Sequence, residues 1–510
     1  MNWAQLGETI FMVVYTFCLV MVSLYGLHRY GLVYLFYRHR GNRPPTPEKF
    51  DQLPRVTIQL PMYNERYVAQ RVIEKTCQID YPCELLDIQV LDDSTDDTPD
   101  ICRGAVAKAK EAGFDITYIH RDNREGFKAG ALANGLAIAK GEFLTVFDAD
   151  FTPKSDILQR SIHYFTNPKV ALVQTRWEHI NRDSSLLTKS QAILLDGHFV
   201  IEQVARNRSQ RFISFNGTAG TWRIKAIHEA GGWQHDTLTE DLDLSFRVQM
   251  RGWKFVYLTD LTAPAELPPE MTGFKTQQFR WTKGGAQTAM KLLPKVLMSR
   301  LPLKVKVEAF FHLTCFTLHL YMGLLVVMMF PAMLLKTVPG AATSFWRIAF
   351  DMSVFLLATL SGSVFYMASQ LAVLRNWRAT LKFLPMLMAI GIGLCVSNTK
   401  AVVEALLGRK SEFVATPKFG DAAGAVCAAV MKKRRKAWLP YAEFAMGGYM
   451  VVCLVWSVAR HGLCLLGTPF LTLFAFGFFY VSVLSFQEAW AKRHVPKPIA
   501  PAQSAETVGL

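Results

Sequence analysis

Long apolar runs in this chain flank a region where polar and apolar residues mix in the manner of a globular domain. The runs extend over Ile10 to Phe36, Phe310 to Leu335, Phe350 to Leu374 and Tyr441 to Phe486. A helix needs about 20 apolar residues to cross about 30 Å of hydrocarbon. The first three runs therefore predict one membrane span each, and the fourth, interrupted near Arg460, predicts two.

A shorter apolar segment, from Phe383 to Ser397, has two interpretations. It contains Pro385 and two glycines, and it lies between Lys382 and Lys400. The segment is apolar enough to span, but a helix lying in the membrane interface has the same composition. We favour the interfacial helix, because the segment that follows it is expected on the cytosolic side.

The net charge is +15, and the positions of the basic residues indicate how the chain is oriented in the membrane. Basic clusters adjoin the ends of the predicted spans, whereas the connections at 336–349 and 460–467 are poorer in charge. The positive-inside rule then places 38–309, 375–438 and the C-terminal tail in the cytosol. Nucleic acid is not an expected partner, because the basic residues do not interleave with aromatic residues on one face.

The globular region begins after a proline-rich linker from Gly41 to Pro54. Alternating segments of strand and helix character follow this linker, which predicts a parallel α/β sheet with helices on both faces. Ligands bind such sheets at the carboxyl ends of the strands. The predicted strands are Val56–Leu60, Leu86–Leu91, Ile116–Ile119 and Phe143–Phe147, and the predicted helices are Arg66–Gln78, Pro99–Ala112 and Phe127–Ala139.

Chemically active side chains follow three of these strands directly: the segment Pro61 to Glu65, the pair Asp92 and Asp93, and the pair Asp148 and Asp150. Asp148 and Asp150 are two residues apart, so both side chains point to one side. Two such carboxylates suit Mg²⁺ or Mn²⁺, with diphosphate oxygens as further ligands. A solvated turn is the alternative for both acidic pairs.

Lys128 begins a predicted helix. A helix N-terminus and a lysine together attract an anion such as a diphosphate, although an ordinary surface lysine would show the same local sequence. Asn216, Gly217 and Thr218 follow the strand-like segment Phe212 to Phe215 and offer amides and a hydroxyl to an acceptor.

Glu240 and Asp241 follow Thr239 and precede a predicted helix from Leu242 to Met250. One interpretation is structural: Thr239 caps the helix and the acidic side chains compensate its dipole. The other is a general base, since a sugar hydroxyl is a weak nucleophile and a buried carboxylate can have its pKa raised to the task.

Gln277, Arg280 and Trp281 recur at near-helical spacing just before the second predicted span. Arg280 would neutralise a departing diphosphate, and Trp281 offers a flat apolar face to a sugar ring. The alternative is the buried face of an amphipathic helix.

Taken in this order, the motifs resemble those of the family 2 glycosyltransferases, which are inverting enzymes with the GT-A (Rossmann-like) nucleotide-sugar fold. The resemblance covers residues 50–300, and by architecture 300–420, and it is closest to cellulose synthase and the plant cellulose-synthase-like mannan and glucan synthases. It implies Asp241 and Glu240 as catalytic residues and Asp148 and Asp150 as metal ligands. It also implies a donor site (Pro61, Tyr63, Glu65, Asp92, Asp93, Lys128, Asp148) and a site for the acceptor and leaving group (Asn216, Gly217, Thr218, Gln277, Arg280, Trp281).

The segment from Phe413 to Lys418 resembles the cytosolic gating loop of cellulose synthase, with Phe413, Thr416 and Lys418 at the matching positions. It departs from that pattern at Ala415 and Pro417. An ordinary polar loop between helices is the alternative.

The expected domains are an N-terminal membrane helix (1–37), a linker (38–54), a GT-A domain (55–300), an interface helix with two spans (301–374), an interfacial helix with the gating loop (375–437), two spans (438–488) and a tail (489–510).

Three functions follow, in order of preference. The first is an inverting, metal-dependent, processive β-glycosyltransferase that makes mannan, glucomannan or β-glucan from GDP-mannose or UDP-glucose and moves the polymer across the membrane. The second is a single addition to a lipid such as diacylglycerol or ceramide, because Gln-x-x-Arg-Trp also occurs in ceramide glucosyltransferases. The third is a transporter or scaffold with a decayed transferase domain, which the intact acidic residues disfavour.

Overall fold

The computed structural model describes residues 3–336, 353–354, 356–374, 378–409, 418, 420, 438–463 and 467–494. A mixed α/β domain lies between an N-terminal helix, α1 (Trp3–His39), and a C-terminal group of helices. The domain therefore interrupts the apolar helices of the chain at the place that the hydrophobic pattern predicts.

Seven strands form one sheet in the order β3-β2-β1-β4-β6-β5-β7. The four strands predicted from the sequence are confirmed, and they pair in parallel as β3-β2-β1-β4. The sheet is not parallel throughout, because β6 runs antiparallel to both of its neighbours, whereas β5 and β7 again pair in parallel. The strands are β1 (Val56–Met62), β2 (Leu86–Asp92), β3 (Ile116–His120), β4 (Phe143–Val146), β5 (Val170–His179), β6 (Gly220–Arg223) and β7 (Lys254–Ala265).

Helices cover both faces of the sheet, and each face has its own apolar core. On one face Ile58 and Val90 pack in the cluster that contains Val106. On the other face Val146 packs in the cluster that contains Leu32 of α1, so the first apolar helix is part of the domain core. The helices of the domain are α2 (Ala69–Cys77), α3 (Thr98–Glu111), α4 (Phe127–Leu136), α5 (Ile157–Ser161), α6 (Leu186–Asp196), α7 (Gln203–Arg208), α8 (Ile224–Glu229), α9 (Glu240–Met250) and α10 (Met271–Met298).

The segment from Phe212 to Phe215, predicted to be strand-like, is not a strand. Its backbone is satisfied by side chains of α9 instead of a neighbouring strand. The Ile213 N–H donates to Gln249 Oε1 at 3.1 Å, and the Phe215 N–H donates to Ser245 Oγ at 2.8 Å. These bonds fix the segment that leads into Asn216 against α9.

Five helices in the described part of the chain are long and apolar enough to cross a membrane, in agreement with the five predicted spans. They cover Trp3–His39, Leu303–Leu335, Leu356–Leu374, Leu439–Arg460 and Gly467–Ala491. The C-terminal helices are α11 (Leu303–Thr314), α12 (Leu318–Lys336), α13 (Ser361–Leu374), α14 (Arg378–Leu381), α15 (Leu384–Gly393), α16 (Cys395–Leu406), α17 (Leu439–His461) and α18 (Gly467–His494).

The ambiguous apolar segment forms α15, which is bent by 43° from α16. Taken together, α15 and α16 are apolar enough to count as a sixth candidate span. Both interpretations of 383–397 therefore stay open, and the interfacial one stays a prediction.

Candidate active site

A cavity with about 1220 Å³ of empty space, part of it open to solvent, lies at the carboxyl ends of the strands. Most of the residues predicted for the site line it. They are Pro61, Tyr63, Glu65, Asp93, Lys128, Asp148, Asp150, Asn216, Gly217, Glu240, Asp241, Gln277, Arg280, Trp281 and Lys418. Asp92 and Thr218 do not line the cavity, and Phe413 and Thr416 lie outside the described residues.

Asp148 is held at the end of β4 by a residue that does not itself reach the cavity. The Asp148 N–H donates to Thr218 Oγ1 at 2.9 Å, and Thr218 is fully buried. Thr218, predicted to bind the acceptor, therefore fixes the backbone that carries the first carboxylate of the Asp-x-Asp pair.

Lys128 connects Asp148 to the loop that carries Gly217. Its ammonium donates to Asp148 Oδ1 and, at 2.9 Å, to the Gly217 carbonyl oxygen. Burial lowers the pKa of Lys128, but the charges of Asp148 and Glu240 raise it by more, so the pKa lies above its ordinary value. The lysine is therefore a permanent cation at the start of α4.

Gly217 is the point at which the donor side of the cavity meets Asp241. Its φ is +80°, which favours glycine. A Cβ atom at this position would lie 3.1 Å from Asp241 Oδ2 and 3.6 Å from Lys128 Nζ. Asp241 and Lys128 thus meet at one glycine, and Lys128 also binds Asp148, although the three residues come from separate stretches of the chain.

Asp150 forms an ion pair with Lys418, which is 268 positions further along the chain (418 − 150). The Nζ–Oδ2 distance is 2.5 Å, and both side chains are largely buried. Burial lowers the pKa of the Lys418 ammonium, but Asp150 and Glu65 raise it by more. The nearby Gly420 N–H donates to Glu266 Oε2 at 3.1 Å, so this segment is fixed to the end of β7 at a second point.

Glu65 is a third carboxyl group beside this pair. It follows β1 and is half-buried, and its buried Oε2 atom has no hydrogen-bond partner among the described residues. Burial raises the pKa of Glu65 well above its usual range, and the charges of Asp150 and Asp148 add to that effect while Lys418 opposes it. A group of this kind binds a cation or donates a proton to a phosphate oxygen when one is supplied.

The two acidic residues after β2 have different surroundings. Asp92 is fully buried, and its carboxylate accepts hydrogen bonds from the Ser94 N–H at 2.9 Å and the Tyr118 hydroxyl at 2.7 Å. Asp93 lines the cavity and is clamped by Arg121, whose Nε donates to Asp93 Oδ1 at 2.8 Å. Asp92 thus shapes the turn, and Asp93 is the member of the pair that faces a ligand.

Glu240 and Asp241 begin α9. Thr239 is the residue before the helix, but its side chain makes no capping hydrogen bond, so the structural interpretation of Thr239 does not hold here. Burial, followed by the neighbouring Glu240 charge, raises the pKa of Asp241 to about 7. Burial also raises the pKa of Glu240.

Helix α10 carries Gln277, Arg280 and Trp281 along one wall of the cavity. One turn further on, α10 passes so close to the segment before α9 that a Cβ atom on Gly284 would lie 2.6 Å from Thr239 Cγ2. The small residue therefore sets the separation between the acid pair and the Arg-Trp motif.

Three acidic side chains from the C-terminal helices hold α10 in place. Glu488 accepts from the N–H groups of Met271 at 2.5 Å and Thr272 at 2.9 Å, at the start of the helix. Glu443 pairs with Lys275 at 2.6 Å, and Glu404 pairs with Lys283 at 2.9 Å. Sequence reasoning missed these contacts, because an acidic residue within an apolar helix does not reveal its partner.

Two residues on β5 were also missed. Trp177 and His179 line the cavity, and the indole Nε1 and both imidazole nitrogens are buried without a partner among the described residues. The alternation along β5 and the polar His179 at its end were the available signals. Arg124 likewise lines the cavity, with its guanidinium over the Tyr63 ring at 3.2 Å from the centroid.

The family model described as "Glycosyltransferase like family 2" matches residues 54–284. Glucomannan 4-beta-mannosyltransferase 9 from Arabidopsis thaliana is 34% identical over 428 residues, which cover 79% of this chain and 77% of that protein. Glucomannan 4-beta-mannosyltransferase 1 from Oryza sativa subsp. japonica is 40% identical over 302 residues, which cover 56% of this chain and 58% of that protein. Among solved structures, a mannosyltransferase from Pyrobaculum calidifontis in complex with GDP-Man and Mn²⁺ is 20% identical with a TM-score of 0.49, covering 70% of this chain and 99% of that one.

Proposed function

This chain belongs to glycosyltransferase family 2, and we propose that it is a processive synthase that extends a β-mannan or glucomannan from GDP-mannose or UDP-glucose. The resemblance drawn from the motifs and the GT-A fold are confirmed, and the chain is a nucleotide-sugar-dependent glycosyltransferase. The proposed sugar follows the names of relatives such as the two described above, which are glucomannan 4-beta-mannosyltransferases.

The nucleotide end of the donor occupies the part of the cavity near β1 and β2. Pro61, Tyr63 and Asp93 line this part. Asp93 is held by Arg121, so its carboxylate is oriented to accept hydrogen bonds from a base or ribose. Lys128 at the start of α4 then faces the diphosphate.

Asp148 and Asp150 fit a divalent cation. Within the described residues no group of three or more His, Cys, Asp or Glu side chains has the geometry of a metal site. Two carboxylates at one strand end, each paired with a lysine ammonium in this structure, are the donor set that Mg²⁺ or Mn²⁺ shares with substrate diphosphate oxygens. Such a cation stabilises the negative charge of the leaving diphosphate.

Asp241 is the general base. A carboxyl group whose pKa is raised to about 7 is partly ionised at neutral pH and basic enough to take a proton from a sugar hydroxyl. The deprotonated oxygen attacks the anomeric carbon, and the bond from that carbon to the diphosphate breaks on the opposite side. This single displacement inverts the anomeric configuration and needs no covalent intermediate with the enzyme.

Arg280 and Trp281 serve the leaving group and the acceptor. Burial lowers the pKa of the Arg280 guanidinium, whereas Glu240 and Asp148 raise it, which places this cation among the carboxylates of the cavity. Trp281 presents a ring face for the terminal sugar. Because acidic residues of α16, α17 and α18 hold the helix that carries both, the acceptor end lies against the candidate spans, through which the polymer leaves the cytosolic face.

One observation carries the proposal. Asp241 Oδ2 and Lys128 Nζ both approach Gly217 to within 4 Å of its ideal Cβ position, and Lys128 bonds Asp148. The proposed base and the first carboxylate of the proposed metal site therefore lie close to one lysine in a single cavity, as the transfer requires.

The test is a donor panel. Membranes containing the full chain are incubated with labelled GDP-mannose, UDP-glucose and other nucleotide sugars in Mn²⁺ or Mg²⁺, with Asp148→Ala/Asp150→Ala as the inactive control. We expect label in a product that is excluded from a gel-filtration column and is degraded by an endo-β-mannanase.

Other outcomes contradict the proposal in distinct ways. Label in an organic-extractable glycolipid would assign the single-addition function instead. Polymer export by the Asp148→Ala/Asp150→Ala variant would assign the transporter function.

A further inference from the structure

The catalytic cavity has a wall that the mechanism above does not use. It is formed by the ends of β5 and β7, where His179 is paired with Ala265, and Trp177, His179, Ala265 and Leu267 line the cavity. This wall is rigid, because the Ile180 N–H donates to the Ala265 carbonyl oxygen at 2.9 Å.

The side-chain nitrogen atoms of His179 and Trp177 are buried without a hydrogen-bond partner among the described residues. His179 is 8% exposed, and neither of its ring nitrogens has a hydrogen bond within the described residues. The indole N–H of Trp177 is likewise unpaired, while its ring is fixed against Phe151 and Phe199 at centroid distances of 5.3 and 5.0 Å. An unmade hydrogen bond at a buried polar group is costly, so buried polar groups in native proteins have partners.

The chemistry of the missing partner follows from the donors and acceptors. Burial lowers the pKa of His179 to about 4, so its imidazole is neutral at physiological pH and carries one N–H donor and one acceptor nitrogen. Trp177 adds a single donor. A neutral group that both donates and accepts is a hydroxyl, whereas a diphosphate would be drawn to cations such as Lys128.

The position of the wall in the sheet excludes the nucleotide as its ligand. Strands β1 and β2, whose ends carry the residues nearest the nucleoside, lie on one side of β4, and β5 and β7 lie on the other.

We propose that His179 and Trp177 form a subsite that binds hydroxyl groups of a hexose, either the hexose of the donor or the terminal hexose of the acceptor. The subsite rests on the proposed glycosyl transfer and adds to it the residues that read the sugar. Both hexoses offer hydroxyl groups to the subsite, and the test below distinguishes the donor hexose from the acceptor hexose.

The test measures KM separately for GDP-mannose and for a β-1,4-linked mannotetraose in the full-length enzyme. We expect His179→Phe, which keeps a ring but removes both nitrogens, to raise KM for one of the two substrates by about tenfold to a hundredfold. The substrate whose KM changes identifies the hexose. His179→Gln, which retains a donor and an acceptor, should recover most of the loss.

Stability separates binding from a structural role. Because neither ring nitrogen has a hydrogen-bond partner among the described residues, His179→Phe should leave the melting temperature unchanged or raise it. Trp177→Phe should raise the same KM by a smaller factor. Its matched control is Trp222→Phe, since the Trp222 indole N–H is also buried and unpaired but lies outside the cavity, and it should leave both KM values unchanged.

Deoxy analogues of the substrate identify which hydroxyl group contacts His179. The analogue that lacks the contacted hydroxyl should bind wild-type enzyme more weakly but bind His179→Phe no worse than the parent sugar, as in a double-mutant cycle. Unchanged KM values for both substrates in His179→Phe, or a lower melting temperature with KM unaffected, would overturn the subsite. Absence of transfer by the unaltered chain from any nucleotide sugar would instead refute the proposed function, independently of either side chain.

Discussion

Two acidic pairs face each other across the cavity and differ in their electrostatic partners. Asp148 and Asp150, at the end of β4, each form an ion pair with a lysine. Glu240 and Asp241, at the start of α9, have no ion pair among the described residues. Both pairs are short acidic motifs in the sequence, so the motifs alone do not distinguish their chemistry.

This difference in ion pairing matches two proposed roles within one cavity: metal binding at Asp148 and Asp150, and proton removal at Asp241. Burial raises the pKa of Asp150 as well, but the adjacent Lys418 ammonium opposes that effect and favours the ionised carboxylate. A buried carboxylate beside another carboxylate has a raised pKa and becomes a base. The assignment depends on Lys128 and Lys418, which form ion pairs with Asp148 and Asp150, whereas Asp241 forms no ion pair within the described ranges.

The largest effect is expected from removing the base. Asp241→Asn keeps the size and polarity of the side chain but cannot accept the proton, so kcat should fall by roughly 10²- to 10⁴-fold. Donor affinity, measured by calorimetry with GDP-mannose, should change little, because the donor is held on the other side of Gly217. Asp51→Asn, an exposed residue of the linker, is the matched control. Wild-type turnover in Asp241→Asn would remove Asp241 from the mechanism.

A smaller effect is expected at Asp150, where removal of the paired lysine should increase the affinity for a metal ion. Lys418 competes with a metal for Asp150, so Lys418→Met should strengthen Mn²⁺ binding in the absence of donor by about tenfold, equivalent to about 1.4 kcal/mol. Asp150→Asn should weaken it. Titration of Mn²⁺ against the purified chain measures both, with Lys110→Met, an exposed residue of α3, as control. Equal Mn²⁺ affinities in all of these variants would show that Asp150 is not a ligand.

Much of this arrangement was accessible from the pattern of the sequence. Strand ends place Glu65, Asp93 and Asp148 at one edge, because a parallel sheet aligns its carboxyl ends, and helix periodicity places Lys128 at the start of α4. These are local rules, and the first four strands obey them.

The rest depends on contacts between distant segments, for which the local pattern has no signal. The reversal of β6 is fixed by its neighbours in the sheet, and the positions of Lys418 and of Glu443 relative to the cavity are fixed by tertiary packing. His179 was missed for the same reason: a histidine at a strand end is informative only when its lack of a partner is known.

The smallest expected effect tests how the Glu240 charge changes the pKa of Asp241. Burial is the main cause of the raised pKa of Asp241, and the Glu240 charge is the second. Transfer needs deprotonated Asp241, so kcat/KM in the wild type should fall about tenfold per pH unit below about pH 7 and level off above it.

Glu240→Gln removes a negative charge beside Asp241 and so favours its ionised form. The acidic limb of the pH profile should therefore move to lower pH, by roughly half a unit to one unit, since one unit corresponds to about 1.4 kcal/mol. Burial remains, so the limb should stay above the ordinary range of an aspartate. Glu111→Gln, an exposed carboxylate on α3, should leave the limb in place. If Glu240→Gln left the limb unmoved or shifted it upward, the two carboxylates would not interact, and the contrast with the lysine-bound pair would rest on burial alone.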